Sequence, residues 1–271
     1  MSLVLRLAAL AFLAVGPLAH AQTPPINGGL AHVAFSVANL ARSREFYQKL
    51  GFQEAFHFGE GDTITQSFMK VNDRQFIELY PSSPRQPVGF LHLCFEGNLE
   101  PLNTFYASRG LNPKPVRKAR AGNLLFTMEG PDTTNGKQNI EYTQYMPGSL
   151  HTEDRGKHLG EHPIASQLFA VALAMRNRTT AHSFYTDKLD FPEVAGHPWL
   201  LEIPGPTREQ VLLETERLGL HGEIFLRVAN LREAASQLKQ AGIPVASSHG
   251  SLTVTDPDGN LIVLRSTPVA E

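Results

Sequence analysis

Two stretches of the chain repeat the same order of apolar and polar positions. HVAFSVANLARSREFYQKLGF (32–52) and AVALAMRNRTTAHSFYTDKLDF (170–191) each open with an apolar run, pass through an asparagine and close with a Phe-Tyr pair and a Leu-x-Phe ending. A short apolar or alternating run is typical of a strand, and a 3.6-residue spacing is typical of an amphipathic helix. Asparagine is a favoured N-cap. The pattern predicts one strand-helix unit in each half of the chain.

A second pair of segments extends this repeat. GFLHLCFEGNLEPLNTFYASRGLNP (89–113) and GEIFLRVANLREAASQLKQAGIPV (222–245) share an apolar strand, an Asn-Leu step, a helix and a glycine-containing stop. Shorter alternating runs follow the helices of the first half, among them TITQSFMKV, RQFIELY, NLLFTME and NIEYTQY. The sequence therefore predicts an α+β fold of four βαβββ modules, which begin near residues 30, 89, 167 and 222.

The second and third modules are separated by a polar, glycine-rich stretch, MPGSLHTEDRGKHLGEHPIAS (146–166). Such composition favours a connection over a regular element. We therefore expect an N-terminal domain over residues 26–146, a linker over residues 147–166 and a C-terminal domain over residues 167–271.

The first residues indicate an export signal. Arg6 supplies a positive charge, the apolar run LAALAFLAVGPLA is too short to span a bilayer, and AHA (19–21) fits a small-x-small cleavage site. We expect residues 1–21 to be a signal peptide cut near Ala21/Gln22, which predicts a periplasmic or secreted protein without membrane contact after cleavage. An uncleaved membrane anchor is the alternative, although a Gly-Pro step interrupts the run.

Composition narrows the class of partner. The 271 residues carry a formal net charge of −2, so the chain lacks the excess of positive charge that is typical of nucleic-acid-binding proteins. The single cysteine, Cys94, excludes an intramolecular disulfide, so that the stability of an exported protein must come from packing or from a bound metal. We expect a small-molecule partner, with a monomer and a homodimer both open.

Four polar side chains fall in phase on the predicted strands. Alternate residues of a strand face the same side. His32 lies on the opening strand of the first module and Glu78 on its closing strand, and His92 and Glu141 take the matching places in the second module. The aligned positions of the third and fourth modules are apolar, namely Ala170, about Leu213, about Ile224 and Val263. The four polar residues therefore form a set that one half has and the other lacks.

A joint role explains this set. An imidazole or carboxylate within an apolar strand costs several kcal/mol unless it has a partner, about 2–5 kcal/mol for an unpaired charge. One divalent metal ion would partner two neutral imidazoles and two carboxylates at once, and would leave room for water or substrate. The alternative interpretation is a pair of hydrogen-bonded core histidines with two solvated glutamates. The loss of all four together favours the metal.

The repeated modules, the helix segment NLARSREFYQKLGF (39–52) and the closing turn DPDGN (256–260) resemble the vicinal oxygen chelate superfamily. Its members include glyoxalase I, methylmalonyl-CoA epimerase, fosfomycin and bleomycin resistance proteins, and extradiol ring-cleaving dioxygenases. The resemblance covers nearly the whole chain after residue 21. It implies four βαβββ modules paired into two domains, each a sheet that curves into a cup, with a degenerate C-terminal domain.

The resemblance also implies a site and an activity. The glyoxalase-like order of ligands is His, Glu, His, Glu, which His32, Glu78, His92 and Glu141 match. One divalent ion (Zn, Ni, Co or Mn) is then expected, with Glu141 or Glu78 as the carboxylate that moves a proton in a lyase or isomerase reaction. The substrate is expected to chelate the ion through two vicinal oxygens. Ser36 and Ser82 stand where glyoxalase I holds glutathione with other residues, so a glutathione adduct is not expected.

Two other functions remain open within this resemblance. An extradiol-type dioxygenase would bind Fe(II) through two histidines and one glutamate, with Glu78 off the metal. A non-enzymatic protein of the resistance type would only sequester a small molecule. The retained ligand set argues against sequestration, since sequestration needs no metal.

The distribution of the four residues predicts how the modules pair. If the first module pairs with the second and the third with the fourth, all four polar side chains meet in one cup. If the first pairs with the fourth and the second with the third, the set is split into two incomplete halves. We therefore predict sequential pairing.

Some further residues have a weaker signal. Tyr80, Thr143 and Tyr145 are expected to face the same cup, where they would shape a pocket or pack as ordinary strand residues. The basic run KPVRKAR (114–120) suits either an acidic substrate or an exposed strand edge. His158 and His162 are expected to be linker residues.

Overall fold

The computed structural model describes residue 25, residues 27–248, residues 250–267 and residue 269. The expected signal peptide, residues 1–21, lies outside these described residues. In the first half the strands are β1 Asn27–Val37, β2 Glu54–Glu60, β3 Thr63–Lys70, β4 Phe76–Pro81, β5 Gly89–Gly97, β6 Arg117–Lys118, β7 Leu124–Thr133 and β8 Gly136–Gln144. In the second half they are β9 Gln167–Ala174, β10 Glu193–Val194, β11 His197–Glu202, β12 Gln210–Glu214, β13 Glu223–Arg227, β14 Ala246–Ser248, β15 Ser251–Thr255 and β16 Leu261–Arg265.

The helices follow the first strand of each module, as the periodicity predicts. They are α1 Leu40–Lys49, α2 Leu99–Ser108, α4 Arg178–Ser183 and α5 Leu231–Gln240, with a short α3, Leu150–Glu153, between the halves. Three of the predicted asparagine caps accept a backbone N–H with their side chains: Asn39, Asn177 and Asn230. Asn98 precedes α2 without such a bond. The α+β prediction of four βαβββ modules is confirmed.

The strands form two eight-stranded sheets with the same topology. Their orders are β2-β3-β4-β1-β5-β8-β7-β6 and β10-β11-β12-β9-β13-β16-β15-β14. The opening strands of the first two modules, β1 and β5, pair antiparallel at the centre of the first sheet, and β9 and β13 do the same in the second. Modules one and two therefore share one sheet and modules three and four the other, which is the sequential pairing that the polar residues predict.

Both sheets contribute to one large apolar core. Val33, Phe35 and Leu93 of the first sheet belong to the same buried cluster as Val171 and Leu226 of the second. The helices cover the same faces, with Tyr47, Leu102 and Leu238 in this cluster. Because the core takes up one face of each sheet, the opposite face is available for other residues, and we call it the concave face after the cup that the resemblance implies.

The DPDGN turn of the fourth module binds the first module. Asp258 Oδ1 accepts the backbone N–H of Ala38 at 2.9 Å, and its Oδ2 accepts the hydroxyl of Ser43 at 3.0 Å. The buried hydroxyl of Tyr47 on α1 donates to Asp256 Oδ2 at 3.2 Å. These bonds join the start of the chain's fold to its end.

The register of the second sheet corrects two of the aligned positions. Ala34 pairs with both Glu78 and His92, and its counterpart Ala172 pairs with Leu212 and Glu223. The counterparts of Glu78 and His92 are therefore Leu212 and Glu223, one residue before the predicted Leu213 and Ile224. Because side chains alternate along a strand, this offset of one residue moves a side chain to the other face. Leu213 and Ile224 indeed lie in the main core.

The concave face of the second sheet is nevertheless closed to a metal site of the predicted kind. Glu223, the one acidic replacement, accepts a hydrogen bond from Arg217 at 2.6 Å and so already has a cationic partner. Beside it, six buried residues form a small apolar cluster: Phe169, Ala170, Ala172, Leu218, Phe225 and Val263. Among its described residues, the second half therefore lacks the set of two histidines and two glutamates found on the first sheet.

The segment between the halves packs closely on the first sheet. Lys70, at the end of β3, is fully buried, and its Nζ lies 2.8 Å from Asp154 Oδ2. The same ammonium donates to the backbone carbonyls of Asp154 and Lys157, each at 2.6 Å. This network fixes the residues around α3 against the edge of the first concave face. Among the described residues, no helix is long and apolar enough to cross a membrane.

Candidate metal centre

Four neighbouring strands at the centre of the first sheet present the predicted side chains. In the order β4, β1, β5, β8 they carry Glu78, His32, His92 and Glu141. The register aligns His32 with Cys94 on β5 and Cys94 with Glu141 on β8. The alternation of side chains therefore directs all of them to the concave face.

His32 is at the middle of the cluster. Its Nε2 lies 3.2 Å from Nε2 of His92 and 3.5 Å from Oε1 of Glu141. On the other side of the ring, its Nδ1 lies 3.2 Å from Oε1 of Glu78. The donor atoms of His32, Glu78 and His92 all lie within 4.8 Å of one another, as do those of His32, Cys94 and Glu141.

These separations suit a shared ion. A dication about 2.0–2.2 Å from each donor, with angles of about 90–110°, would space its ligand atoms about 2.8–3.6 Å apart. The contacts at Nε2 of His32, with His92 and Glu141, fall in this range, whereas Glu78 approaches the other ring nitrogen, Nδ1. Buried Nδ1 of His32 has no geometrically acceptable hydrogen bond among the described residues, in spite of its proximity to Glu78. The residues present therefore fit a divalent ion better than they fit one another.

Glu78 is held more firmly than Glu141. Its Oε2 accepts hydrogen bonds from the hydroxyl of Tyr80 at 2.6 Å and from the amide of Gln66 at 3.1 Å. Glu141 accepts a hydrogen bond from the thiol of Cys94. Because two donors fix Glu78 beside His32, this carboxylate can orient the imidazole, whereas Glu141 has fewer restraints.

Burial sets the protonation of the cluster. Burial lowers the pKa of His32 to about 3. It also lowers the pKa of His92 to about 4, with a smaller contribution from the His32 charge. Burial, and then the charge of Glu78, raise the pKa of Glu141 to about 8. Burial raises the pKa of Glu78 too. At neutral pH both imidazoles are therefore neutral, which is the form that binds a metal.

A cavity of about 230 Å³ opens over the cluster. Its wall includes His32, Glu78 and Glu141, together with Tyr80 of the predicted set. Of the other residues expected in the cup, Thr143 bonds Asn123 and the carbonyl of Leu124. Tyr145 stacks on His151 at a centroid distance of 4.4 Å.

His151 is a cavity residue that sequence reasoning missed. It lies in α3, in the segment predicted to be a linker, and only 3% of its surface is exposed. It contacts a ring of aromatic side chains, formed by Phe56, Phe68, Phe76 and Tyr145. Neither ring nitrogen has a hydrogen-bond partner among the described residues. No periodic signal marks this polar segment, so the placement of His151 depends on tertiary packing.

Arg117 and Arg120 also line the cavity. They belong to the basic run KPVRKAR, for which the sequence left two interpretations open. Both side chains are exposed, which agrees with an exposed strand edge. Both also line the cavity, which recognition of an acidic substrate would require. His158, by contrast, bonds Asp154, away from this wall.

Replacement of His151 by phenylalanine is expected to reduce the acid sensitivity of the fold. Burial lowers the pKa of His151 to about 3; the His32 charge contributes to this shift and the Asp154 charge opposes it. Between about pH 3 and pH 6.5 the unfolded chain binds a proton at His151 and the native state does not. The protein therefore keeps its full free energy of unfolding above about pH 6.5 and loses part of it as the pH falls toward 3. One pKa unit corresponds to about 1.4 kcal/mol, which gives a loss of about 2 kcal/mol between pH 6.5 and pH 5 from this residue.

Urea unfolding of the wild type and His151→Phe at pH 5, 6, 7 and 8 measures this difference. Phenylalanine keeps the aromatic contacts and removes the titrating nitrogens. Parallel pH curves for the two proteins would contradict this prediction, because they would mean that folding does not lower the pKa of His151.

Comparison with solved structures supports the same architecture. The Mn(II)-bound glyoxalase from Novosphingobium aromaticivorans superposes with a TM-score of 0.66 at 14% identity, over 89% of this chain and 82% of that chain. A 2,3-dioxygenase from a Pseudomonas species gives 0.63 at 16% identity, over 89% and 92%. Homoprotocatechuate 2,3-dioxygenase from Arthrobacter globiformis gives 0.60 at 14% identity, over 90% and 81%.

No protein-family profile matches the sequence, and no curated protein matches it. The structural similarities at 14–16% identity establish the fold alone. They span both halves of the chain, in agreement with the two sheets described above.

Proposed function

We infer from the vicinal oxygen chelate fold of this chain, and from the cluster on its first sheet, that the protein is a metal-dependent enzyme acting on a small molecule. The observation that carries this inference is the position of His32. Its buried ring has donor atoms of His92, Glu78 and Glu141 within 3.5 Å, at the base of an open cavity. A merely structural cluster would pair these groups with hydrogen bonds instead of leaving Nδ1 without one.

We propose that His32, His92, Glu78 and Glu141 hold one divalent ion such as Zn, Ni, Co or Mn. When bound, the ion would act as a Lewis acid on two vicinal oxygens of the substrate. The protein's own groups supply the rest of the chemistry. Tyr80 and Gln66 hold the Glu78 carboxylate by hydrogen bonds, so this group is positioned before the substrate arrives.

Glu141 is the proposed proton-transfer residue. It lines the cavity and lies 3.5 Å from His32 Nε2, and only the Cys94 thiol restrains it. A carboxylate in this place can take a proton from a carbon next to a substrate carbonyl and return it elsewhere. The reaction class is therefore a lyase or isomerase reaction, similar to that of the glyoxalase among the compared structures.

Hydrogen exchange tests this activity without knowledge of the natural substrate. The protein, loaded in turn with Zn, Ni, Co or Mn, would be incubated in D₂O with dihydroxyacetone and lactaldehyde, which carry vicinal oxygens and an exchangeable C–H. We expect deuterium incorporation by mass spectrometry, reduced about a hundredfold or more in Glu141→Gln. Exchange at the wild-type rate in Glu141→Gln would contradict the role of this residue.

A second candidate is supported by a separate observation. Glu78 lies on the Nδ1 side of His32, whereas His92 and Glu141 lie on the Nε2 side. An ion bound at Nε2 would then have two imidazoles and one carboxylate, which is the donor set of Fe(II) oxygenases. Two of the compared structures are 2,3-dioxygenases by name. Oxygen uptake with catechols by the Fe(II)-loaded protein, without hydrogen exchange, would favour this candidate.

Absence of both activities in a protein that binds the small molecules tightly would point to sequestration instead.

We also propose that the chain is exported. N-terminal sequencing of the protein from the culture medium or the periplasmic fraction would identify a cut near Ala21/Gln22.

A further inference from the structure

Two arginines on the cavity wall form no direct ion pair within the described part of the chain, although the charge of Arg117 acts on Glu141 across the cavity. Arg117 lies on β6 and Arg120 just after it, and among the described residues neither forms an ion pair. The guanidinium of Arg120 lies 4.3 Å from the centre of the Phe58 ring, which also lines the cavity. That contact fixes the direction of one arginine without neutralising it.

The charges around the cavity leave a positive excess once an ion is bound. Among the residues that line the cavity, two carboxylates, Glu78 and Glu141, balance one dication. The two arginines remain, since none of the other described residues that line this cavity is acidic. A guanidinium pair beside a neutral chelate favours a ligand that carries negative charge away from its chelating end.

His151 adds a buried polar group to the same wall. Both its nitrogens lack partners among the described residues although the side chain is almost completely buried. An unsatisfied buried donor and acceptor cost stability unless something else bonds them. The ring lines the cavity, so a bound molecule can supply that partner.

We propose that the substrate is a carboxylate that also carries two vicinal oxygens, with its carboxylate against Arg117 and Arg120 and with His151 hydrogen-bonded to its body. This proposal rests on the proposed function of the site and names the substrate class. Arg117 and Arg120 determine specificity. His151 positions the ligand between the arginines and the metal.

A matched pair of ligands tests the arginines. 3,4-Dihydroxyphenylacetate and 4-methylcatechol have the same vicinal oxygens and differ by one carboxylate. Their affinities for the Zn(II)-loaded protein, in which no redox turnover occurs, are measured by isothermal titration calorimetry. We expect the acid to bind at least about tenfold more tightly, and Arg117→Gln and Arg120→Gln each to remove most of this preference. Lys118→Gln is the control, since Lys118 lies between them in sequence and does not line the cavity.

The outcomes separate this proposal from the proposed function. Equal affinity for the two ligands, with normal zinc content, would overturn the acidic-substrate proposal and leave the metal enzyme intact. Failure of the Zn(II)-loaded protein to bind either ligand would count against both. A preference that survives in both arginine variants would overturn the assignment to Arg117 and Arg120.

The His151→Phe variant tests the proposed hydrogen bond between His151 and the bound ligand. We expect weaker binding of both ligands, by about fivefold or more, with unchanged zinc content and a melting temperature at pH 8 that is equal to or above that of the wild type. A residue that serves only to fill the core would lower the melting temperature and leave the affinity unchanged, and that result would overturn the role of His151. His151→Asn, which restores polar atoms, is expected to recover part of the affinity.

Discussion

Replacement of His32 by alanine is expected to abolish stoichiometric metal binding. The Nε2 of this residue lies 3.2 Å from that of His92 and 3.5 Å from Glu141, and its Nδ1 lies 3.2 Å from Glu78, so it is the member of the cluster that contacts all the others. Loss of groups that merely orient ligands lowers metal affinity about 10–100-fold. Loss of the central ligand should cost at least a hundredfold, and catalysis should fall with it.

Inductively coupled plasma mass spectrometry of the loaded and desalted proteins measures the number of metal ions per chain and so tests this expectation. His197→Ala is the control, because His197 is exposed on the second half. We expect about one ion per chain in the wild type and the control, and almost none in His32→Ala. The same content in His32→Ala as in the wild type would refute the metal centre. Urea unfolding would show that the variant remains folded.

The architecture could be predicted from the sequence because each module carries its own local signals. The Asn39, Asn177 and Asn230 caps and the repeated Phe-Tyr helix ends fix where strands give way to helices. The pairing of modules followed from chemistry, since only sequential pairing brings His32 close to His92. The strand positions of the four polar side chains followed from alternation, which is a property of the backbone.

Register in the second half could not be predicted to the residue. Leu213 and Ile224 are as apolar as their neighbours, so no polar landmark fixes the alignment there. A shift by one residue exchanges the two faces of a strand. The structure shows that Glu223 takes the place of His92, with Arg217 as its partner. The position in the second half that matches His92 therefore holds a paired acidic residue and not an apolar one.

His151 was beyond sequence reasoning for a different reason. A strand residue has a face that its neighbours indicate, whereas His151 lies in a short helix whose position depends on distant contacts. Lys70 on β3 makes those contacts with Asp154 and Lys157. A buried lysine beside a buried aspartate has no sequence pattern, because the two residues are 84 positions apart.

Replacement of Lys70 by methionine is expected to destabilise the protein by about 3–5 kcal/mol. Methionine fills the same volume but removes the cation from a site where the lysine side chain is fully buried and the Asp154 carboxylate is only 6% exposed. An ion pair of this kind adds little net stability, yet removal of one partner is severe, because the buried Asp154 carboxylate would keep only the half-exposed His158 imidazole beside it among the described residues. Urea unfolding at pH 7.5 measures the difference in the free energy of unfolding.

Lys49→Met is the matched control. Lys49 pairs with Glu45 one helical turn away, and both side chains are at least half exposed. An exposed pair of this kind contributes about 0.5 kcal/mol or less. Equal effects of the two substitutions would show that Asp154 finds another partner, and Lys70→Met/Asp154→Asn measures the coupling directly, since this double variant should recover part of the loss.

The same substitution connects the fold with the site. Asp154 lies three residues after His151, so a detached Asp154 would free α3 and withdraw His151 from the cavity wall. In Lys70→Met we therefore expect faster amide hydrogen exchange over residues 146–160 and weaker binding of 3,4-dihydroxyphenylacetate, together with nearly unchanged zinc content, because the four proposed ligands lie on strands that the network does not hold. Loss of zinc in this variant, with slow exchange retained around α3, would mean that Lys70 supports the sheet itself.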